Sequence, residues 1–325
     1  MCASSKVMTL SEAVDRFVHD GDLISFGGFS ATQCPMAAVH EIIRKGIKNL
    51  HVVACSNGQA VDELIGGGCV ERIEIAYGGN GRFAPTCFRF RKSIENGSLK
   101  VEDYSNYQMT LRFMAGAMGV PFLLSYSSLG TDIINQWGFD EEYRLQDPRL
   151  PLKKLIVMDN PFNRTDKVDQ VVLVPALQPD VTIIHAQKAD AFGNVRLMGL
   201  IYSDVEQAKA SKHVIVTCEE IVDTDELRRE PERNQIVSFQ VSAVVEVPWG
   251  AYPTAVYGYY DYDPWFLLDF YPKVARDENL WKDYLDKYVF GVRNRQEFLE
   301  LVGLDKVERL RADQEYGYNR SLKRR

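Results

Sequence analysis

Apolar and polar positions along the first 126 residues repeat with two different periods. Ala13, Phe17 and Val18 recur at helical spacing, and they follow Thr9 and Glu12, a pair typical of a helix N-terminus. Short apolar runs lie between the helical segments and predict buried strands. The predicted strands are 22–26, 50–54, 72–77 and 122–126. The predicted helices end at Asp20-Gly21, run from Pro35 in a first turn to a stop at Gly46, and span 105–118.

The pattern loosens between residues 127 and 169 and then returns. Further strands are predicted at 171–175, 180–184, 213–218 and 241–247, with a helix at 203–212 and mostly helical sequence beyond residue 264. Alternating helices and apolar strands are typical of a parallel sheet between two helical layers. We therefore expect a three-layer α/β/α fold with a mostly parallel sheet. The interpretation is one domain over 1–325, with an excursion at about 127–170 and a helical C-terminal extension at about 264–325.

Composition excludes several classes of protein. The 325 residues are 46% hydrophobic and carry a net charge of −7, which argues against a disordered chain and against a nucleic-acid partner. The six cysteines lack metal-ligand spacing, so we expect reduced thiols and no metal site. The uncharged run 113–131 contains glycines and a proline, so we interpret it as a helix end followed by a buried strand. With no signal-peptide pattern at the start, these features predict a soluble, cytoplasmic protein without a membrane partner.

The segment 20–35, DGDLISFGGFSATQCP, is the first candidate for a binding site. Gly27 and Gly28 end a predicted strand, where glycine lets the backbone approach a ligand, and a following helix would present free N–H groups there. A purely structural strand-to-helix turn fits the same spacing equally well. The dinucleotide pattern G-x-G-x-x-G is excluded, because the positions after Gly28 that it reserves for glycine hold other residues.

Two other segments contain titratable residues that attract attention. Residues 179–199, PDVTIIHAQKADAFGNVRLMG, predict a strand with His185 and Asp190 and then a turn at Gly193-Asn194. No nucleophile motif accompanies His185, so we interpret it as a core histidine. Glu95 follows a basic run in a helix that ends near Gly97, and we interpret it as a solvated side chain.

These residues carry a family resemblance. The run from Gly21 through the Gly27-Gly28-Phe29 turn to Pro35 resembles the N-terminal signature of class I CoA-transferases, although Gln33 stands where that signature usually has glycine. Segment 179–199 also resembles this family. Four further strings, at compatible spacing, resemble its A (alpha) subunits of the glutaconate type over nearly the whole chain: RFRKSIENGSLKVEDYS, MDNPF, IVTCEEI and YGYYDYD.

The resemblance implies a function as well as a fold. It implies the A (alpha) component of a heteromeric enzyme that moves CoA between an acyl-CoA, such as acetyl-CoA, and a dicarboxylic acid of the glutaconate or 2-hydroxyglutarate type. CoA thioesters are then substrates, and no cofactor is bound permanently. The nucleophilic glutamate belongs to a B-type partner subunit present in equal numbers, so this chain has no catalytic residue of its own, Glu95 included.

Substrate-binding residues are expected at two neighbouring strand ends, where ligands of open α/β sheets gather. They are Gly27, Gly28, Phe29, Ser30, Tyr77, Gly79 and Asn80. The alternatives are a ring-opening hydrolase or decarboxylase subunit of the same fold, or a ligand-sensing module. The hydrolases use a glutamate whose position falls at Asn106 here, and a sensing module would need a DNA-binding domain with a basic face.

Overall fold

A large parallel sheet forms the centre of the molecule. The computed structural model describes residues 4–165 and 167–323, so Cys2, Arg324 and Arg325 lie outside the described residues. The strands are β1 (Leu23–Phe26), β2 (Leu50–Ser56), β3 (Val70–Tyr77), β4 (Lys100–Asp103), β5 (Phe122–Ser125), β6 (Ile156–Asp159), β7 (Gln170–Pro175), β8 (Val181–Ala189), β9 (Val195–Arg196), β10 (His213–Ile221) and β11 (Ala243–Glu246). Seven of them pair in parallel in the order β11-β10-β8-β1-β2-β3-β4, and β9 is antiparallel to β8.

Helices connect most of these strands. They are α1 (Leu10–Phe17), α2 (Met36–Lys45), α3 (Gln59–Gly66), α4 (Phe88–Glu95), α5 (Asn106–Met118), α6 (Glu141–Gln146), α7 (Asp204–Ala210), α8 (Thr224–Arg228), α9 (Tyr271–Arg276), α10 (Glu278–Tyr284), α11 (Arg295–Val302) and α12 (Leu304–Glu308), with π-helical turns at Phe266–Phe270 and Leu285–Phe290. The capping pair Thr9 and Glu12 opens α1, and Gly46 ends α2 with φ +68°, as predicted. Pro35 precedes α2 rather than lying in its first turn.

Successive residues of the central strands face two different hydrophobic cores. Ile24 of β1 and Val52 of β2 pack in the core that includes α1, α2 and α3. Their neighbours Leu23 and Val53 pack on the opposite side with Met109 and other residues of α5. Each such side chain stabilises the fold by roughly 1.5–3 kcal/mol when fully buried. Burial on both faces explains the near-continuous apolar strands, and the three-layer parallel prediction is confirmed.

The placement of two strands was predicted wrongly. The segments 122–126 and 171–175 were expected in the parallel sheet, but β5 and β7 join β6 in a separate antiparallel sheet of order β5-β7-β6. The first of them is also not buried, because Phe122 is 44% and Leu124 is 50% exposed. An apolar run predicts a strand but not its partner, which tertiary packing decides. Within the described ranges, no helix is long and apolar enough to cross a bilayer.

A buried ionic cluster attaches the segment after β5 to the main sheet. The guanidinium of Arg144 on α6 donates to Glu102 of β4, and both side chains are fully buried. The ammonium of Lys154 lies 3.4 Å from the same carboxylate and 3.0 Å from that of Asp103. Burial raises the pKa of Glu102, while the two cations favour its ionised form. Residues 127–169 are thereby held against the β4 edge.

Candidate active site

Ser30 ties together three loops at the carboxyl ends of the parallel strands. Its N–H donates to the carbonyl of Ser56 at the end of β2 (3.0 Å), and its hydroxyl donates to the carbonyl of Gly79 after β3 (2.8 Å). Tyr77 packs over Gly79 so closely that a Cβ there would lie 2.5 Å from the phenol ring. The residues expected after β1 and those expected after β3 therefore form one cluster.

Asp204, at the start of α7, explains the pair of glycines after β1. A Cβ on Gly27 would lie 2.4 Å from its Oδ1 atom, and the Gly28 N–H donates to that atom at 2.8 Å. Gly28 has φ +86°, and a Cβ on it would meet the Thr32 carbonyl oxygen at 2.5 Å. Burial raises the pKa of Asp204, and the Gly28 N–H opposes that rise. Both glycines are thus required by the chain's own packing.

The N–H groups of this turn are not free, contrary to the prediction. The Gly28 N–H is bound to Asp204, and the Phe29 N–H donates to the Thr32 carbonyl at 2.9 Å. The following helix begins only at Met36, so its N-terminus does not coincide with the glycine turn. The turn shapes the floor of the cluster, while these two N–H groups are already bonded within the chain.

Gln33 shows how the chain accommodates its departure from the family signature. Its backbone has φ +53°, in the left-handed region that favours glycine. The buried side chain compensates by donating to the His185 carbonyl (3.3 Å) and to Oε1 of Gln187 (3.2 Å), both on β8. The backbone path of the signature is therefore retained, and the side chain anchors the loop to the sheet.

Sequence reasoning missed the wall formed by Ser56, Asn106 and Tyr202. The Ser56 hydroxyl donates to Oδ1 of Asn106 at 2.8 Å, and Asn106 is the first residue of α5. The Tyr202 ring lies 4.9 Å from the Phe29 ring, and its hydroxyl lies 3.2 Å from that of Thr110. A capping pair at the start of α5 was the available signal, because it places Asn106 at a helix N-terminus.

Two partly buried side chains keep donors unpaired in this cluster. Because Oδ1 of Asn106 accepts from Ser56, its Nδ2 group is directed elsewhere, and among the described residues it has no hydrogen-bond partner. The Tyr77 hydroxyl likewise has no partner in the described part of the chain. These neutral donors can bind a carbonyl or carboxylate oxygen, but neither is a nucleophile that could form a CoA thioester. Asp204, the carboxylate that touches the loop, is buried and bonded to Gly28.

Asn80 supports its loop rather than pointing toward solvent. Its side chain is 2% exposed, and its Nδ2 donates to Oε1 of Gln59, the first residue of α3, at 3.0 Å. Its backbone N–H donates to the Ala84 carbonyl at 2.8 Å. The loop after β3 is therefore fixed from inside the protein.

The other titratable candidates lie in environments that agree with the structural interpretations. His185 is fully buried and contacts Thr217 (2.9 Å) and Glu219 (2.7 Å) on β10, which confirms a core histidine. Glu95 is exposed at the end of α4, as predicted. Burial raises the pKa of the Cys34 and Cys55 thiols to about 12, so neither is an activated nucleophile.

Comparison with known proteins identifies the family. Residues 7–247 match the family model described as coenzyme A transferase. The A component of glutaconate CoA-transferase from Acidaminococcus fermentans is 40% identical over 315 residues, 97% of each chain. The chain belongs to the coenzyme A transferase family. The A component of 3-oxoadipate CoA-transferase from Pseudomonas knackmussii is 36% identical over 298 residues, which cover 90% of this chain and 97% of the relative.

Solved structures agree with this assignment. The crystal structure of glutaconate coenzyme A-transferase from Acidaminococcus fermentans has a TM-score of 0.92 at 39% identity and covers 97% of this chain and 98% of that chain. A decarboxylase structure has a TM-score of 0.68 at 27% identity, covering 92% of this chain and 99% of that one. CoA transfer is therefore favoured over the hydrolase and decarboxylase alternatives. The chain is an enzyme subunit of the CoA-transferase type, and because its relatives are named as one of two kinds of subunit, a partner subunit is implied.

Proposed function

We propose that this chain is the A (alpha) component of a complex that transfers CoA between an acyl-CoA, such as acetyl-CoA, and a dicarboxylic acid of the glutaconate or 2-hydroxyglutarate type. The observation that carries the proposal is the 40% identity to the A component of glutaconate CoA-transferase over 97% of both chains. The second relative is named for 3-oxoadipate, another dicarboxylate. A dicarboxylate is therefore the substrate class that both names support.

The proposed reaction needs a carboxylate nucleophile from the B-type partner. A glutamate of the partner attacks the thioester carbonyl and expels CoA thiolate, which leaves an acyl-glutamyl anhydride. The thiolate then attacks the glutamyl carbonyl, releasing the first acid and forming a glutamyl-CoA thioester. The second acid attacks that thioester, and the thiolate attacks the acyl carbonyl of the new anhydride. The glutamate carboxylate is regenerated, and no water, proton or electron is consumed overall.

The role assigned to this chain is to bind the oxygens that become charged. Each tetrahedral step places negative charge on a carbonyl oxygen, which preorganised donors stabilise. We assign this role to the Tyr77 hydroxyl and the Asn106 amide, the two unpaired donors of the cluster. The substrate-facing surface around them is assigned to Gly27, Gly28, Phe29, Ser30 and Gly79, with Asn80 holding its loop in place.

The proposed assembly contains this chain and its B-type partner in equal numbers. One nucleophile from each partner would serve one set of donors from each copy of this chain, so a site at their contact requires that ratio. Each copy would contribute as one domain, including the segment at about 127–170 and the helices from about 264 onward. CoA thioesters are the substrates of this assembly, and no permanently bound cofactor is required by the chemistry above.

The proposal is tested with the chain purified together with its B-type partner. The complex is incubated with acetyl-CoA and a panel of free acids, and the CoA products are separated by liquid chromatography. We expect CoA esters of glutaconate or 2-hydroxyglutarate, with monocarboxylates of equal length at least about tenfold slower, because they leave a polar subsite unpaired. Release of free CoA at a rate independent of the acid would contradict transfer and favour a hydrolase.

A further inference from the structure

We propose that the C-terminal helices position the candidate active site through a buried line of hydrogen bonds. The line runs from Tyr284 on α10 through Glu63 and Gln59 on α3 to Asn80 in the loop after β3. Helix α10 lies beyond residues 7–247, which match the family model. The inference rests on the proposed function, because it assigns these residues to the support of the loop that presents Tyr77.

Each link in this line joins two buried groups. The Tyr284 hydroxyl donates to Oε2 of Glu63 at 3.0 Å, and Nε2 of Gln59 donates to Oε1 of the same carboxylate at 2.7 Å. Nδ2 of Asn80 then donates to Oε1 of Gln59 at 3.0 Å. None of the four side chains is more than 2% exposed, so solvent does not substitute for a missing partner.

The order of donors and acceptors makes the line directional. An ionised carboxylate only accepts, so Glu63 fixes which end of the Gln59 amide faces it. The carbonyl end of Gln59 is then left for Asn80. The terminal torsion of a glutamate is soft, so its orientation depends on partners at both oxygens. Tyr284 and His40, whose Nε2 lies 2.8 Å from Oε2, supply the partners on the side away from Gln59.

The end of the line reaches the proposed donors. Asn80 directly follows Gly79, whose carbonyl accepts the Ser30 hydroxyl and whose Cα supports the Tyr77 ring. A loosened Asn80 would therefore displace both the Tyr77 hydroxyl and the Ser30 contact. Small displacements of groups that face a reacting centre reduce turnover strongly. We infer that Tyr284, Glu63 and Gln59 are positioning residues for the site.

The test compares Tyr284→Phe with the matched variant Tyr271→Phe in the complex with the partner. Tyr271 is equally buried, and its hydroxyl donates to Asp62 at 2.7 Å; the other oxygen of Asp62 accepts the Phe90 N–H, away from the site. Each variant removes one buried hydroxyl, so both should lower the melting temperature by a similar amount, about 2 to 4 °C. We expect only Tyr284→Phe to lower kcat/KM, about fivefold and mainly through kcat.

A double variant distinguishes positioning from general destabilisation. In a Gln59→Met background the line is already interrupted, so adding Tyr284→Phe should change kcat by less than about 1.5-fold. Equal loss of kcat in the two tyrosine variants, or an undiminished effect of Tyr284→Phe in that background, would overturn the inference. If the unaltered complex transfers no CoA, the proposed function itself fails, which is a separate result.

Discussion

Two polar clusters lie at the carboxyl ends of the same sheet, and they differ in what they leave unpaired. On β8 and β10, His185 and Glu219 are buried and bonded to one another, and Tyr260 donates to the same carboxylate at 2.7 Å. Near β1 to β3, Tyr77 and Asn106 are partly open, and their donors have no partner within the described residues. The cluster with titratable groups is sealed, whereas the open cluster is neutral. Availability, more than residue type, therefore marks the site.

This difference also explains why a second subunit is needed. The sealed carboxylate of Glu219 already accepts from Tyr260 and from the Trp249 N–H (2.8 Å), so it has no capacity left for a substrate. The open cluster can stabilise a charged oxygen but cannot itself attack a thioester. A complete catalytic site thus requires a carboxylate that this cluster lacks. We assign it to the partner.

The largest expected effect is on the sealed cluster. Glu219→Ala removes the acceptor shared by His185, Tyr260 and Trp249 and leaves buried donors unpaired. We expect the free energy of unfolding to fall by roughly 3–5 kcal/mol, measured by chemical denaturation. The kcat of the folded complex should change less than twofold. A large loss of kcat at normal stability would show that the cluster takes part in the reaction and would remove the contrast.

Another sealed carboxylate should be visible in the pH dependence of stability. Burial raises the pKa of Asp62 to about 6, so the folded chain holds this proton more tightly than the unfolded chain. Its contribution to stability is then complete below about pH 4 and is lost as the pH rises through about 6. Relative to the natural chain, Asp62→Asn should gain roughly 3 kcal/mol in free energy of unfolding between pH 4 and 7.

Denaturation curves at several pH values measure this difference. The exposed Glu95→Gln provides the control, since we expect its difference from the natural chain to stay constant with pH. A constant difference for Asp62→Asn as well would mean that this carboxylate is not sealed from solvent.

Asn106→Asp should lower activity without lowering stability much. The change replaces the unpaired N–H donor by a carboxylate oxygen, while the second oxygen still accepts from Ser56. Repulsion of the developing oxyanion should reduce kcat/KM by about 100-fold, measured with the chain in complex with its partner. Asn106→Ser, which restores a small donor, should recover part of this loss. Full activity of the aspartate variant would show that this position does not contact a charged oxygen.

Tyr77→Phe should give a smaller loss of activity. It removes one donor from the open cluster and leaves the ring over Gly79, so we expect kcat/KM to fall about tenfold at unchanged melting temperature. Tyr104→Phe is a matched control, because the Tyr104 hydroxyl is buried without a partner just after β4. Its loss should not reduce activity. Equal activity of both variants would remove Tyr77 from the proposed site.

The fold was largely predictable because local pattern determines most of it. Apolar strands alternating with capped helices predicted the parallel sheet, including β1 and β2 within two residues at each end. The failures were β5 and β7, whose sequences are as apolar as those of central strands. Their antiparallel pairing depends on β6, which lies within the excursion, and no local pattern specifies that contact.

The site was predictable in place but not in chemistry. The glycine turn marked the correct strand end, yet the group that requires it, Asp204, lies 176 residues away from Gly28. Whether an N–H group is free depends on such long-range partners, so the predicted donors at Gly28 and Phe29 were wrong. The orientation of Asn106 is set by Ser56, 50 residues earlier, and sequence spacing does not reveal it.

Mapping the covalent intermediate tests the central claim, that this chain supplies donors and its partner supplies the nucleophile. The complex of the two is incubated with acyl-CoA alone, so that the glutamyl-CoA thioester accumulates. It is then treated with borohydride, which reduces that thioester to an alcohol, and digested for peptide mass spectrometry. We expect one modified glutamate in the partner and none in this chain. A modified carboxylate in this chain, such as Glu95 or Asp204, would contradict the account.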